Sequence, residues 1–218
     1  MAKLLVSGGL ILGSVALIES VAFWPAVFMV GLAGFSIGML FGSSGDNSKA
    51  PDAKSRPRPG KWEKKLRQAI KNDLVVRGGI SIELLERSKS MKIEKSKYPY
   101  LPDIALKVLN NNISDYVCLY IDVEVDEPWT LDKNGNKMPI HTIDDNKQKS
   151  RDSFFREKNW IVIRFSEQQV YYETDKCVNL IHDLIICIFQ LNDSLLKSTY
   201  PSPQKRWSWQ EAVKIERP

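Results

Sequence analysis

Residues 116–126 constrain the fold most, because apolar and polar side chains alternate along this stretch. In a strand, successive side chains point to opposite faces of the sheet. One face then carries five apolar residues: Val117, Leu119, Ile121, Val123 and Val125. A slip of one residue would turn carboxylates inward, so the pattern predicts a half-buried strand with a fixed register. The opposite face ends in three acids: Asp122, Glu124 and Asp126.

Three carboxylates at this spacing repel one another, and two interpretations account for them. A bound divalent cation would offset the repulsion. Alternatively, the strand ends in a solvated acidic loop that reaches Pro128. The acidic strand alone does not decide between the two.

A second predicted strand lies upstream of the acidic one. Its buried face would carry Ile104, Leu106 and Val108. Residues 110–112 have the composition of a turn, which predicts an antiparallel hairpin. Asp103, at the start of the first strand, then faces the end of the second. Neighbouring strands are ~4.8 Å apart, so we expect Asp103 beside Glu124, and this convergence favours the cation.

The succession of helices and strands over residues 61–218 predicts an α/β domain, with a mixed β-sheet flanked by helices. The predicted elements are a helix over residues 62–74, a strand or short helix over 80–85, a long polar loop over 127–150, a helix over 150–158 with Phe154 and Phe155 inward, a strand over 160–165, and a helix from Thr174 to about residue 196. The basic, aromatic tail that begins at residues 205–209 indicates a packing clasp more than a ligand contact.

The N-terminal region from residue 4 to residue 42 contains one ionisable side chain, Glu19. This is too long for a globular helix, a signal-peptide core or one straight span. The pair Trp24-Pro25 divides it into halves near the ~20 residues that cross a bilayer. The sequence therefore predicts a transmembrane helical hairpin over residues 1–43, with residues 4–42 in the lipid bilayer.

Basic residues follow the second span closely, which places the C-terminal domain in the cytoplasm by the positive-inside tendency. A cleaved signal peptide is the alternative. Residues 44–60 have the composition of a flexible basic linker, and residues 61–218 form the α/β domain. Glycines spaced four apart in both spans favour close helix contacts, within the hairpin or in a homo-oligomer.

Charge is unevenly spread along the domain. Residues 61–97 hold eleven Lys and Arg against five Asp and Glu, a net charge of +6. Residues 98–150 hold five against nine, a net charge of −4. A basic flank beside an acidic centre suits a polyanion held near a metal. Lys64 and Lys65 are therefore candidates for contacts with nucleic acid, and the alternative is that they are only solvated.

Several short motifs follow one another in a fixed order. They are Pro102-Asp103, Asp122-Val-Glu124-Val-Asp126-Glu-Pro128, Pro139-Ile-His141, Arg151-Asp-Ser-Phe-Phe155, Asn159-Trp-Ile-Val-Ile-Arg-Phe165 and Glu167-Gln-Gln-Val170. The set resembles the restriction-endonuclease-like PD-(D/E)xK superfamily, and within it the small branch related to very-short-patch-repair endonucleases. The resemblance covers roughly residues 61–190 and leaves out the hairpin.

The resemblance implies a restriction-endonuclease-like core and a phosphodiester hydrolase that depends on Mg²⁺ or Mn²⁺. Asp103 and Glu124 would be the metal ligands, with the backbone carbonyl of Val125. Glu63, on the first helix, matches an acid that many members carry there. Mg²⁺ takes oxygen ligands and keeps waters, one of which would attack phosphorus.

One departure from the superfamily concerns the lysine two residues after the glutamate, which is Asp126 here. The branch named above also carries an acid there, so Asp126 remains a candidate catalytic residue. His141, with a pKa near neutrality, is a candidate base or hydrogen-bond donor. Arg164 would bind phosphate or, alternatively, pair with Asp122 or Glu127.

Two further expectations concern ligands. Gln169 is a candidate nucleic-acid contact, and DNA is favoured over RNA as the partner.

The main hypothesis is a membrane-tethered nuclease acting on foreign DNA, and the alternative is a binding module without catalysis. A Ca²⁺ loop is disfavoured, because Val123 and Val125 between the acids indicate a strand.

Overall fold

The computed structural model describes residues 53–54, 60–85, 89–90, 100–112, 117–189, 191 and 193–218. The predicted hairpin of residues 4–42 lies outside these ranges, as does most of the predicted linker. Within the ranges just given, no helix is long and apolar enough to span a bilayer.

The described residues form eight strands, five helices and one 3₁₀ turn. The strands are β1 (Ala53–Lys54), β2 (Ile80–Leu84), β3 (Lys89–Ser90), β4 (Ile104–Asn110), β5 (Val117–Asp126), β6 (Trp129–Leu131), β7 (Lys137–Pro139) and β8 (Trp160–Ser166). The helices are α1 (Lys61–Asp73), α2 (Asn146–Glu157), α3 (Glu167–Tyr172), α4 (Thr174–Ile188) and α5 (Trp209–Ala212), with a 3₁₀ turn at Asp193–Leu195.

The four longest strands form one sheet in the order β2-β4-β5-β8. β4 runs antiparallel to β2 and β5, and β8 runs parallel to β5. Helices flank this sheet, so the predicted α/β class with a mixed sheet is confirmed. The antiparallel β4–β5 pair confirms the predicted hairpin, and β2 is a strand where a short helix was the alternative. The linker residues of β1 pair with β3 in a separate two-stranded sheet.

One face of β5 packs in the main hydrophobic core, as the alternation predicts. The β5 residues there are Leu119, Ile121, Val123 and Val125, and those of β4 are Ile104, Leu106 and Val108. The apolar faces of α1 and α4 cover this side of the sheet, with Leu66, Ile181 and Ile185 fully buried. Burial of one whole face fixes the register of the strand.

The opposite face of β5 is also covered, because α2 packs over it. Tyr120 stacks on Trp160 with ring centroids 4.9 Å apart, and Phe155 of α2 lies 5.3 Å from Trp160. The three acids of β5 are buried on this side as well. The predicted half-buried strand and the alternative of a solvated acidic end are therefore both wrong.

Three predicted boundaries differ from the structure. Residues 127–150 contain the β6–β7 hairpin, whose turn is held by backbone N–H groups donating to Asp132. α2 begins at Asn146, because Asp145 caps it. α4 ends at Ile188 and not near residue 196, because the N–H of Leu191 folds back to the carbonyl of Ile186 at 3.0 Å.

Replacing Asp145 with alanine is expected to lower the free energy of unfolding by about 1 kcal/mol. The Asp145 carboxylate accepts hydrogen bonds from the N–H groups of Lys147 (2.9 Å) and Gln148 (3.4 Å) in the first turn of α2. Urea denaturation of the full-length chain measures the loss. Asp144→Ala is the matched control, because Asp144 is an exposed neighbour. Equal losses in the two variants would contradict the capping role.

Candidate functional site

Four carboxylates meet at one end of the sheet. Asp122, Glu124 and Asp126 follow one face of β5 with 0%, 4% and 4% of their surface exposed. The register sets Ile104 opposite Val123, so Asp103 lies next to Glu124. Acids that are distant in the chain are thus brought together where the sequence predicts them.

Two hydrogen bonds hold Asp103 against the end of β5, beside Glu124. The N–H of Asp103 donates to Oε1 of Glu124 at 3.0 Å, and the N–H of Val125 donates to Oδ2 of Asp103 at 3.0 Å. Burial and the negative charge of Glu124 raise the pKa of Asp103 to about 8. A bound cation would relieve this repulsion and favour the ionised form of Asp103.

Arg151 of α2 supplies positive charge to this pair. Its Nη2 atom lies 2.5 Å from Oε1 of Glu124, and the same atom donates to the carbonyl oxygen of Leu101 at 2.8 Å. Burial alone would raise the pKa of Glu124, but the Arg151 guanidinium brings it below its usual value. Glu124 is therefore the ionised member of the pair at neutral pH.

Arg164 of β8 forms a second buried ion pair, with Asp126. Its Nη1 atom lies 2.6 Å from Oδ1 of Asp126, and its Nη2 atom lies 2.6 Å from Oδ1 of Asp152 on α2. Burial would raise the pKa of Asp126, but Arg164 and His141 lower it to about 2. Arg164 is therefore engaged within the protein, with acids other than the two that the sequence suggested.

His141 reaches the same acids from the loop that follows β7. Its Nδ1 atom lies 3.1 Å from Oδ1 of Asp126, and its Nε2 atom lies 3.9 Å from Oε2 of Glu127. Burial disfavours the imidazolium, but the close contact with the Asp126 carboxylate raises the pKa of His141 above its usual value. The backbone at His141 has φ +52°, a left-handed conformation that is uncommon for residues other than glycine.

Asp122 is fully buried, and no described residue donates a hydrogen bond to either of its carboxylate oxygens. Its Oδ2 atom lies 3.2 Å from Nη2 of Arg151, outside hydrogen-bond geometry. Burial raises the pKa of Asp122 well above its usual value. With Asp152 included, the site holds five carboxylates and two guanidinium groups, those of Arg151 and Arg164. The excess of acids favours binding of further positive charge or retention of protons on the carboxyl groups.

The residues present fit a magnesium ion by their chemistry. Proteins commonly hold Mg²⁺ through one or two carboxylates together with water or phosphate oxygens. Asp103 and Glu124 provide two carboxylates, and Val125 lies alongside with its backbone carbonyl. Across the part of the chain that the structure describes, no group of three or more His, Cys, Asp and Glu side chains is arranged to hold a metal. An ion here would therefore depend on the Asp103–Glu124 pair.

Three predicted site residues belong to α1, which packs on the other face of the sheet. Glu63 accepts a hydrogen bond at Oε2 from the N–H of Gly60 at 3.1 Å. Lys64 is exposed to solvent. Lys65 donates from Nζ to the carbonyl oxygen of Tyr171 at 2.7 Å.

Gln169, the remaining predicted nucleic-acid contact, is buried at the start of α3. Its Oε1 atom accepts from the N–H of Ser166 at 2.9 Å, and its Nε2 atom donates to the carbonyl oxygen of Ser202 at 2.8 Å. Both ends of its amide are therefore engaged in capping α3 and holding the C-terminal tail.

Arg151 and Asp152 are site residues to which the sequence gave no role. The sequence nevertheless carries a signal for them, because Gln148, Arg151, Asp152 and Phe155 recur at the spacing of one helix face. The inward position of Phe155 therefore implies that Arg151 and Asp152 also point towards the sheet.

Comparison of the chain with protein-family models, with curated proteins and with solved structures gave no match. The fold and site define an α/β domain with a buried cluster of acids and guanidinium groups. Its function is therefore inferred from the chemistry of that cluster.

The raised pKa of Asp103 makes stability depend on pH in a definite direction. Between its usual value of 3.8 and about 8, the unfolded chain releases a proton that the folded site retains. Stability contributed by this group therefore falls as pH rises through that window. Asp103→Asn removes the titration, so we expect the variant to gain stability relative to wild type on going from about pH 5 to about pH 8, by at most about 1.4 kcal/mol per pH unit. Urea unfolding of both full-length chains measures this, and a difference independent of pH would contradict it.

Proposed function

We propose that this chain is a membrane-anchored, Mg²⁺-dependent nuclease that hydrolyses phosphodiester bonds in DNA, in defence against foreign DNA. The observation that carries the proposal is the pair of hydrogen bonds that hold Asp103 beside Glu124, one from the N–H of Asp103 to Glu124 and one from the N–H of Val125 to Asp103. Two acids from separate strands come together at one end of the sheet, where burial and mutual repulsion favour a cation. The mixed sheet and the ordered motifs support a restriction-endonuclease-like core.

The metal-binding role falls to Asp103, Glu124 and the carbonyl of Val125, with Glu63 as a further acid on α1. When bound, Mg²⁺ or Mn²⁺ supplies an acidified water and offsets charge on the phosphate oxygens. Asp126 stands where the superfamily usually has lysine. Ionised Asp126 orients and charges the imidazole of His141, so this pair is placed to hold and move a proton in the site.

The setting of the enzyme follows from the rest of the sequence. The hairpin of residues 1–43 anchors the domain to the membrane, and the linker of residues 44–60 keeps it at the cytoplasmic face. Exposed lysines on α1, Lys64 among them, attract the phosphate backbone without reading sequence. Small-residue faces in the hairpin support a homo-oligomer.

The test uses the purified full-length chain in detergent and a supercoiled plasmid. We expect nicked and linear DNA with Mg²⁺ or Mn²⁺, and intact plasmid with EDTA. Structured RNA of the same length is the competing substrate and is expected to be cut more slowly. Intact plasmid under both metals would reject the nuclease assignment.

A second candidate function is a nucleic-acid-binding module that keeps the fold without the chemistry. The observation that favours it is Arg151, whose Nη2 atom already places a cation 2.5 Å from Glu124. A gel-shift titration with the same plasmid separates the two functions. Binding without cleavage supports the module, and neither binding nor cleavage rejects both.

A further inference from the structure

The C-terminal segment of residues 199–218 docks on the loop that carries His141. The indole Nε1 of Trp207 donates to the carbonyl oxygen of Ile140 at 2.8 Å, immediately before His141. The carbonyl oxygen of Trp207 in turn accepts from the N–H of Ile143 at 3.0 Å. Trp207 therefore binds the loop backbone on both sides of the histidine.

Arg206 adds a contact immediately after His141. Its Nη2 atom donates to the carbonyl oxygen of Thr142 at 3.4 Å. The Arg206 guanidinium also lowers the pKa of Asp126, after the larger effects of burial, Arg164 and His141. The segment thus contacts the residues on both sides of His141. Its Arg206 also acts electrostatically on Asp126, the carboxylate partner of His141.

The loop at His141 needs such support, because its conformation is unfavourable by itself. The backbone there is left-handed at φ +52°, and such residues persist where the surrounding structure holds them. His141 lies between β7 and α2, outside both elements. The same segment makes a further contact outside this loop, because Nε1 of Trp129 donates to the carbonyl oxygen of Ile215 at 2.9 Å.

We propose that residues 199–218 form a positioning clasp, in which Trp207 and Arg206 hold the backbone around His141 so that its imidazole meets Asp126. The role of this clasp in catalysis rests on the proposed nuclease function. Neither Trp207 nor Arg206 touches the proposed metal ligands, so both are positioning residues.

The test is a spectroscopic signature of the imidazole at fixed pH, in the full-length chain labelled with ¹⁵N-histidine. The chain has two histidines, and His182 of α4, bonded to Asp183 at 2.7 Å, is the internal reference. Trp207→Phe removes the indole donor and keeps an aromatic ring. We expect the ring ¹⁵N signals of His141 to shift, those of His182 to stay, and turnover to fall about tenfold to a hundredfold with KM unchanged.

Trp129→Phe is the matched control, because it removes an indole–carbonyl bond of the same segment at Ile215 and leaves the contacts at His141 in place. Neither histidine signal is expected to move in that variant. Unchanged His141 signals in Trp207→Phe would overturn the clasp, whatever the activity. If the signals of both histidines shift in Trp207→Phe, the Arg206→Gln variant decides. A shift of the His141 signals with unchanged His182 signals supports the clasp, and unchanged His141 signals overturn it.

The two proposals fail separately. His141 signals that shift in Trp207→Phe support the clasp even if the wild-type chain cuts no DNA, and the absence of cutting rejects only the nuclease. Conversely, wild-type cleavage together with unmoved His141 signals rejects only the clasp.

Discussion

On the proposed nuclease function, replacing Glu124 with glutamine is expected to lower Mg²⁺-dependent DNA cleavage about a thousandfold while the domain stays folded. The loss corresponds to about 4 kcal/mol of transition-state stabilisation, within the range that a bound metal supplies. Glutamine keeps a side-chain oxygen that can accept from Arg151 and from the N–H of Asp103. It lacks the negative charge that would bind the ion, so chemistry is lost more than structure.

The measurement is the rate of plasmid nicking by full-length chains at matched concentration, with circular dichroism as the check on folding. Glu83→Gln is the matched control, because Glu83 lies exposed on β2 of the same sheet. We expect that variant to cut at the wild-type rate. Equal cleavage by Glu124→Gln and wild type would remove Glu124 from the metal site.

Replacing Arg151 with methionine is expected to lower the free energy of unfolding by about 3–5 kcal/mol at neutral pH. Methionine has similar length but no charge, so Glu124 would be left ionised and buried without its closest cation. Asp122 and the carbonyl oxygen of Leu101 would lose their contacts with the same guanidinium. Urea denaturation of the full-length chain, followed by tryptophan fluorescence, measures the loss.

Arg156→Met is the control for this experiment, because Arg156 lies on the same helix and is only partly buried. We expect it to cost far less than Arg151→Met. Adding Asp122→Asn to Arg151→Met should recover part of the loss, since it removes a buried carboxyl that has lost its contact with the guanidinium. If Arg151→Met is as stable as Arg156→Met, the guanidinium is not the main counter-charge of the buried acids.

The sheet and the convergence of Asp103 with Glu124 were predictable because they depend on short-range rules. A strand repeats every two residues, so the alternation along β5 reveals both its faces. A short turn composition between two apolar strands indicates a hairpin, and the hairpin sets the partners across it. These rules place Asp103 and Glu124 together without any knowledge of the helices.

The burial of the acids was not predictable from β5 alone, because it depends on what covers that face. α2 carries Arg151, Asp152 and Phe155 on one face, which covers the acids. The ion pairs of Arg151 with Glu124 and of Asp152 with Arg164 compensate the buried charge. The sequence indicates a packing clasp at residues 205–209, and the contacts of Trp207 and Arg206 confirm it, but the loop that it contacts was harder to foresee. Trp207 and Arg206 bind backbone carbonyls of the His141 loop, and such contacts leave no pattern in the side-chain sequence.

The parallel pairing of β5 with β8 has a consequence for how the domain folds. The β4–β5 hairpin joins near neighbours in the chain, whereas Asp126 meets Ser166 only after the β6–β7 hairpin and α2 have been spanned. Closing the longer loop costs more chain entropy and is slower. Because Arg164 arrives with β8, the acids of β5 gain this counter-charge only at the slower step. Before β8 pairs with β5, these acids are more stable exposed to water than buried. The polar side of the sheet is therefore expected to become buried last.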